Sequence, residues 1–105
     1  MGKIEAVYNE EECLVEANKC KELGNKAFKQ EDWDEALEQY TRAIDLAQDD
    51  CKEKAIFYKN RAAVYLKLDE FKRAALDCDL AMEIVPNDLK ALFRRCQAYE
   101  AMGKI

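Results

Sequence analysis

Small and apolar residues recur at spacings of three and four along most of the chain, the period of helices that bury one face. The pattern is plainest between Ala55 and Pro86. Ala55, Tyr58, Ala62 and Tyr65 fall on one helical face, and Leu68, Asp69 and Glu70 break the rhythm. Phe71, Ala74, Ala75, Cys78, Ala81 and Met82 restart it on a second helix, which Pro86 ends. Ala62, Ala74 and Ala81 are small enough to let the two helices approach closely. A hairpin this short cannot bury its apolar face alone and needs neighbours of its own kind.

Those neighbours are in the sequence. Aligning Gly24 with Ala62 and Cys96 brings three copies of one pattern into register. The first copy carries Leu23-Gly24, Ala27, Trp33, Ala36, Tyr40 and Ala43, and the second Arg61-Ala62, Tyr65, Phe71, Ala74, Cys78 and Ala81. The third offers Arg95-Cys96 and Tyr99. Copies two and three are 34 residues apart and copies one and two 38, the extra residues falling within Gln48 to Lys52.

In chain order, residues 1–8 carry no strong pattern and are expected to be flexible. Asn9 followed by Glu10, Glu11 and Glu12 reads as a helix N-cap with its reciprocal glutamate. The first helix then runs to about Lys29, with Cys20, Leu23, Ala27 and Phe28 inward. Its partner is expected from Trp33 to Ala47, burying Ala36, Leu37, Tyr40, Ala43 and Ile44. After the middle hairpin, Pro86-Asn87-Asp88 caps a fifth helix from Leu89 to about Met102, which Gly103 stops. A partner for that last helix is expected and missing, which would leave Leu92, Cys96 and Tyr99 uncovered; the chain reads as a fragment of a larger protein.

Composition narrows the function. The 105 residues suffice for one small domain with a modest core. Half are hydrophobic and 37% charged, and the formal net charge is −5. That balance argues against nucleic acid, whose phosphates need clustered positive charge, and against an anionic membrane surface. No apolar run approaches the roughly 20 residues of a spanning helix. The N-terminus has no apolar signal segment, and Ala6 stands where a myristoylation signal needs Ser or Thr. Five cysteines form no Cys-x-x-Cys pair and there is no histidine, so neither a metal nor a cofactor is expected. An odd number of cysteines without a secretion signal implies a reducing, cytoplasmic setting, with Cys78 and Cys96 packed as small hydrophobes. Without histidine, a glycine-rich phosphate loop or metal-ligand spacing, an enzyme is not expected.

The period and its small/aromatic positions resemble the tetratricopeptide repeat from about Ala17 onward. The resemblance implies an all-α, right-handed superhelix of antiparallel helix pairs, about two and a half repeats, at 17–50, 55–88 and, in part, 89–105. In such stacks the first helix of each pair lines a concave groove. Those helices carry Lys21 and Asn25, then Asn60, then Lys90 and Arg94. The five are similar, position for position, to the two-carboxylate clamp of co-chaperone tetratricopeptide domains, which holds the C-terminal Asp of heat-shock protein 90 or 70. Carried over, Lys21, Asn25 and Asn60 would hold the peptide's α-carboxylate, Lys90 the terminal Asp side chain, and Arg94 the peptide backbone or an acidic residue further back. Singly, each has a plainer reading: Lys90 pairing with Asp88 or Glu83, Asn25 serving local backbone geometry, Asn60 bonding between repeats. Phe57 is expected in the core, and Phe28 either there or in an apolar pocket. Phe57-Tyr58-Lys59-Asn60-Arg61-Ala62-Ala63 and Lys90-Ala91-Leu92-Phe93-Arg94-Arg95-Cys96-Gln97-Ala98 resemble the N-terminal domain of the UCS-family myosin chaperones. That resemblance implies a link to myosin through a further domain. The competing reading is a generic repeat scaffold that binds another protein's helix or internal segment.

Overall fold

The structure is a computed structural model that describes residues 9–103. The expectations for residues 1–8 and for the last two positions lie outside those residues. Five helices follow one another: α1 (Glu10–Lys29), α2 (Trp33–Leu46), α3 (Lys52–Lys67), α4 (Phe71–Ile84) and α5 (Leu89–Ala101), with no strand among the described residues. Three of them, α1, α2 and α5, begin on a side-chain cap. Asn9 Oδ1 accepts from the Glu12 N–H at 2.8 Å while Glu12 Oε1 accepts from the Asn9 N–H at 3.0 Å, the expected reciprocal cap. Asp32 and Asp88 cap α2 and α5 through the N–H groups of Glu35 and Ala91.

The α1–α2 and α3–α4 turns are built alike. The Asp32 N–H reaches the Ala27 carbonyl and the Glu70 N–H the Tyr65 carbonyl, with Glu31 (φ 59°) and Asp69 (φ 60°) in the left-handed region. Gly103, also left-handed at φ 72°, follows α5 where a stop was expected.

The core is largely alanine. Ala17, Ala36, Ala43, Ala62, Ala74, Ala81, Ala91 and Ala98 are fully buried, and the larger residues sealed among them are Phe57, Val64 and Cys78. Small side chains set a short interhelix distance, so backbones rather than bulky side chains fill the interior. Helices adjacent in sequence pack on one another, and α3 also touches α5. The product is an elongated stack of 55 × 30 × 21 Å, a tetratricopeptide-type superhelix in which contacts are between neighbours.

Three local expectations are corrected. Leu23 is 52% exposed rather than inward. The face of α1 that meets α2 consists of Cys20, Gly24 and Ala27, and Leu23 lies about 100° around the helix from Gly24. Cys96 is exposed, not packed. It aligns with Gly24 and Ala62, and no helix follows α5 among the described residues to cover it. The helix of the middle hairpin also starts one turn before Ala55, at Lys52. The buried Lys54 belongs to that added turn, its ammonium donating to the Ala47 carbonyl at 3.4 Å and pairing with Asp49 at 3.0 Å. Cys78 does pack as a small hydrophobe, and burial pushes its thiol up to about 11.

Candidate functional site

Helices α1, α3 and α5, with Tyr40 of α2, contribute side chains to one cleft of about 300 Å³, lined by Glu22, Asn25, Phe28, Lys29, Tyr40, Asn60 and Arg94. Three of the five residues singled out from the sequence, Asn25, Asn60 and Arg94, therefore share one cavity although they are spread over much of the chain. Lys21 and Lys90 stand outside its lining, each one turn before a lining residue: Lys21 before Asn25, and Lys90 before Arg94.

The environments of the five differ. Lys21 is half-buried and pairs with Glu22 at 3.6 Å. Its charge also reaches the start of α3, where it joins the Cys51 thiol hydrogen bond in holding the Glu53 carboxyl below its usual range. Asn25 accepts a hydrogen bond at its Oδ1 from the Tyr40 hydroxyl, at 2.5 Å. Asn60 makes no side-chain hydrogen bond among the described residues, which leaves both its donors and its acceptor for a ligand or water. Arg94 donates from Nη1 to the Lys59 carbonyl at 2.8 Å. Burial lowers its pKa from the ordinary arginine value, yet a guanidinium stays cationic at neutral pH.

The plainer partner expected for Lys90 is taken. Asp88 pairs with Lys59 at 2.6 Å while it caps α5. Burial raises the Asp88 pKa, but the bonds from Lys59 and from the Ala91 and Lys90 N–H groups outweigh it and hold the carboxyl below its usual range. Lys90 itself is exposed and forms no ion pair among the described residues. Lys59 thus ties α5 to α3 twice, through its ammonium to Asp88 and through its carbonyl to Arg94.

Tyr40 is the participant that sequence reasoning missed. It was read as core, and it is 2% exposed, but it also lines the cleft and its hydroxyl bonds Asn25 there. The signal available was its polar tip at a position where the second copy has Cys78. Its ring reaches Asn25 because residue 24 is glycine: a Cβ there would lie 2.6 Å from Tyr40 Cε1 and 2.7 Å from Cδ1. Phe28 also lines the cleft and packs edge-on against Trp33, with ring centroids 5.0 Å apart, whereas Phe57 is fully buried.

A larger cleft of about 490 Å³ lies between α4 and α5, lined by Lys72, Ala75, Leu76, Asp79, Tyr99 and Met102. Its single cation and mainly apolar walls offer nothing that would select a carboxylate. Among the described residues no group of His, Cys, Asp and Glu is disposed to hold a metal, and no helix is long and apolar enough to cross a membrane.

Comparison with known proteins gives the same architecture. The signature of the tetratricopeptide repeat matches residues 17–50. Protein unc-45 homolog B of Xenopus laevis is 47% identical over 85 residues, which are 81% of this chain and 9% of that protein. The human mitochondrial import receptor subunit TOM70 is 40% identical over 90 residues, 85% of this chain and 15% of that protein. The chain therefore spans only a small part of the curated relatives it matches. Among solved structures, the Arabidopsis OM64 TPR domain superposes with a TM-score of 0.81 at 37% identity, over 88% of this chain and 73% of that one. The TPR2B domain of yeast Sti1 in its complex with pHsp70 gives 0.76 at 35% identity, over 84% and 67%. The myosin chaperone UNC-45 of C. elegans, in complex with an Hsp90 peptide, gives 0.78 at 42% identity, over 84% of this chain and 10% of that one. With its repeat signature and its helix pairs matched by a TPR domain that is 37% identical and covered to 73%, the chain belongs to the tetratricopeptide repeat family.

Proposed function

We propose that this domain is a co-chaperone adaptor whose groove clamps the free C-terminus of heat-shock protein 90 or 70, a peptide ending Glu-Glu-Val-Asp. The observation that carries the reading is the convergence of Asn25, Asn60 and Arg94 from three helices on one cleft, with Lys21 and Lys90 one turn away. A peptide ending in Asp presents two carboxylates close together. Lys21, Asn25 and Asn60 would hold the α-carboxylate, Lys90 the Asp side chain, and Arg94 the peptide backbone or an upstream acid. Charge-assisted hydrogen bonds contribute roughly 1.5–3 kcal/mol each, so five such side chains can offset the cost of association and leave a micromolar affinity of about −8 kcal/mol. The asparagines add donors without adding repulsion among the cations. A basic groove in a chain of net charge −5 draws acidic ligands while the rest of the surface repels them.

The complexes of Sti1 with pHsp70 and of UNC-45 with an Hsp90 peptide support this reading by likeness. Within a longer protein of the myosin-chaperone type, the domain would bring the heat-shock chaperone to a client held elsewhere, in the cytoplasm. The adaptor itself needs no cofactor, metal or chemical step. A generic scaffold reading makes a different demand: a helix lying in the groove needs no free terminus. Fluorescence polarisation with a labelled Glu-Glu-Val-Asp peptide, as free acid and as C-terminal amide, separates the two. Micromolar binding of the acid with loss of the amide supports the clamp. Equal binding of both assigns the groove to side-chain recognition and overturns it.

A further inference from the structure

We propose that Tyr40 is a positioning residue that fixes the orientation of the Asn25 side-chain amide, so that its NH₂ faces the groove and selects a carboxylate over a carboxamide. The inference rests on the adaptor reading and extends it to a residue on α2, outside the groove-lining helices. An asparagine amide is ambivalent, with one end accepting and the other donating, and a half-turn about its last bond exchanges them. Left free, it would serve a carboxamide ligand as well as a carboxylate. Here the Tyr40 hydroxyl donates to Oδ1 at 2.5 Å, which occupies the accepting end of a side chain that lines the cleft and leaves its NH₂ without a partner among the described residues. The hydroxyl is a dependable donor, since burial, offset by Arg94 and reinforced by Glu22, pushes its pKa up to about 12.

The geometry that permits this bond is specific to its surroundings. Tyr40 is 2% exposed, so its ring has one place to be. That place lies against the backbone of Gly24, the residue immediately before Asn25, with the ring where a Cβ would stand. Gly24, Asn25 and Tyr40 therefore act as one device: the missing side chain admits the ring, the ring delivers the hydroxyl, and the hydroxyl sets the amide. In the second copy Ala62, Ala63 and Cys78 take the places of Gly24, Asn25 and Tyr40, so the device does not recur, and the groove amide of that copy, Asn60, stands at another position and has no such bond among the described residues. Asn25 is thus the amide with a fixed polarity and Asn60 the adaptable one.

The test is the ratio of affinities for the acid and amide forms of the Glu-Glu-Val-Asp peptide, measured on the wild-type chain and on Tyr40→Phe. The substitution keeps the ring and removes only the donor. The expected result is a loss of about three- to tenfold in acid affinity with amide affinity unchanged, so that the ratio falls by the same factor. A merely structural role would lower both affinities together, and a parallel loss or an unchanged ratio overturns the inference while leaving the adaptor reading intact. Wild-type chain that binds acid and amide equally overturns the adaptor reading and this inference with it. A second measurement needs no substitution: in ¹⁵N-labelled wild-type chain, the Asn25 side-chain NH₂ resonances should shift on saturation with the acid peptide. Resonances that stay in place at saturation overturn the inference.

Discussion

Arg61 grips Asp77 with two parallel bonds, Nε to Oδ2 at 2.7 Å and Nη2 to Oδ1 at 2.8 Å, across the α3–α4 interface. A third donor, Nη1, reaches Thr41 Oγ1 on α2 at 3.2 Å, and the guanidinium sits beside the Tyr58 and Tyr65 rings. One side chain therefore fixes three helices relative to one another. Both pKa values rise, which disfavours the ionised form of Asp77 and favours that of Arg61. Burial pushes the Asp77 carboxyl up even though Arg61 pulls it back, while the bond from Asp77 raises Arg61. Burial of Asp77, the more enclosed partner, decides the balance, so the pair gives registry more than stability.

That balance predicts a non-additive pair of variants. Arg61→Met strands a buried carboxylate and should cost about 3–5 kcal/mol. Asp77→Leu alone strands the guanidinium and should cost less, because Arg61 is the more exposed of the two. The double variant should recover most of the loss. Urea unfolding of the four chains gives the coupling directly, and simple additivity would contradict the assignment.

Asp88 predicts an acid-sensitive attachment of α5. Its folded pKa is lowered, whereas an unfolded aspartate titrates at about 3.9. The sign follows: its contribution is fully present above the unfolded value and is lost as pH falls through the folded one. Asp88→Asn keeps a cap acceptor but removes the charge facing Lys59, and should cost about 1–3 kcal/mol at pH 7. Unfolding measured from pH 7 down to pH 3 should show the two chains converging below about pH 4. A constant difference across that range would exclude the ion pair as its source.

Glu31 and Asp69 hold equivalent left-handed positions without being glycine. That conformation costs an ordinary residue about 1–2 kcal/mol, against which glycine loses about 0.5–1 kcal/mol of chain entropy. Glu31→Gly and Asp69→Gly should each raise the midpoint of thermal unfolding by a degree or more, a net gain of about 0.5–1 kcal/mol. Glu31→Val should lower it.

The features that were legible in advance are those that short stretches decide. Asn9 and Glu12 are three residues apart and cap each other, Gly103 ends α5, and the alternation around Ala55, Tyr58, Ala62 and Tyr65 needs only a helix to become a face. Asn60 and Arg94 were legible because repeats place equivalent positions on one side, and Asn25 because it lies one turn beyond Glu22, the equivalent position of the first copy. What stayed hidden depends on pairs distant in sequence. Asp88 was offered to Lys90, two residues away, but Lys59, 29 residues away, takes it. Tyr40 reads as core because burial and a polar task are compatible in tyrosine, and only the close approach to Gly24 reveals the task. Leu23 was misread because it stands three residues from Cys20 and four from Ala27, which is also helical spacing, while the contact face follows the small residues Ala17, Cys20, Gly24 and Ala27.

Gly24→Ala predicts a conflict between local preference and packing. Alanine should favour an isolated helix by about 0.5–1 kcal/mol. Its Cβ would, however, stand 2.6 Å from the Tyr40 ring, which is enclosed and can shift only by disturbing its neighbours. Overpacking of this kind costs about 1–3 kcal/mol, so the net effect should be destabilising. The same displacement draws the hydroxyl off Asn25 and should weaken binding of the acid peptide.

Charge reversal at Lys90 isolates the groove from the fold. Lys90 is exposed, has no ion pair among the described residues and lies on the first turn of α5, so Lys90→Glu should leave the unfolding midpoint within about 0.5 kcal/mol of wild type. It would still place a carboxylate one turn from Arg94, facing the terminal Asp of the ligand. Binding of a Glu-Glu-Val-Asp acid peptide should then fall by at least about tenfold, the loss of one charge-assisted bond made worse by repulsion. Asn60→Ala should weaken the same peptide without introducing any repulsion. The two variants also differ in their response to salt. Lys90→Glu should regain part of its affinity as ionic strength rises and screens the repulsion, whereas Asn60→Ala should not. Polarisation titrations at low and high salt read both, and a Lys90→Glu chain that binds as wild type does would remove Lys90 from the site.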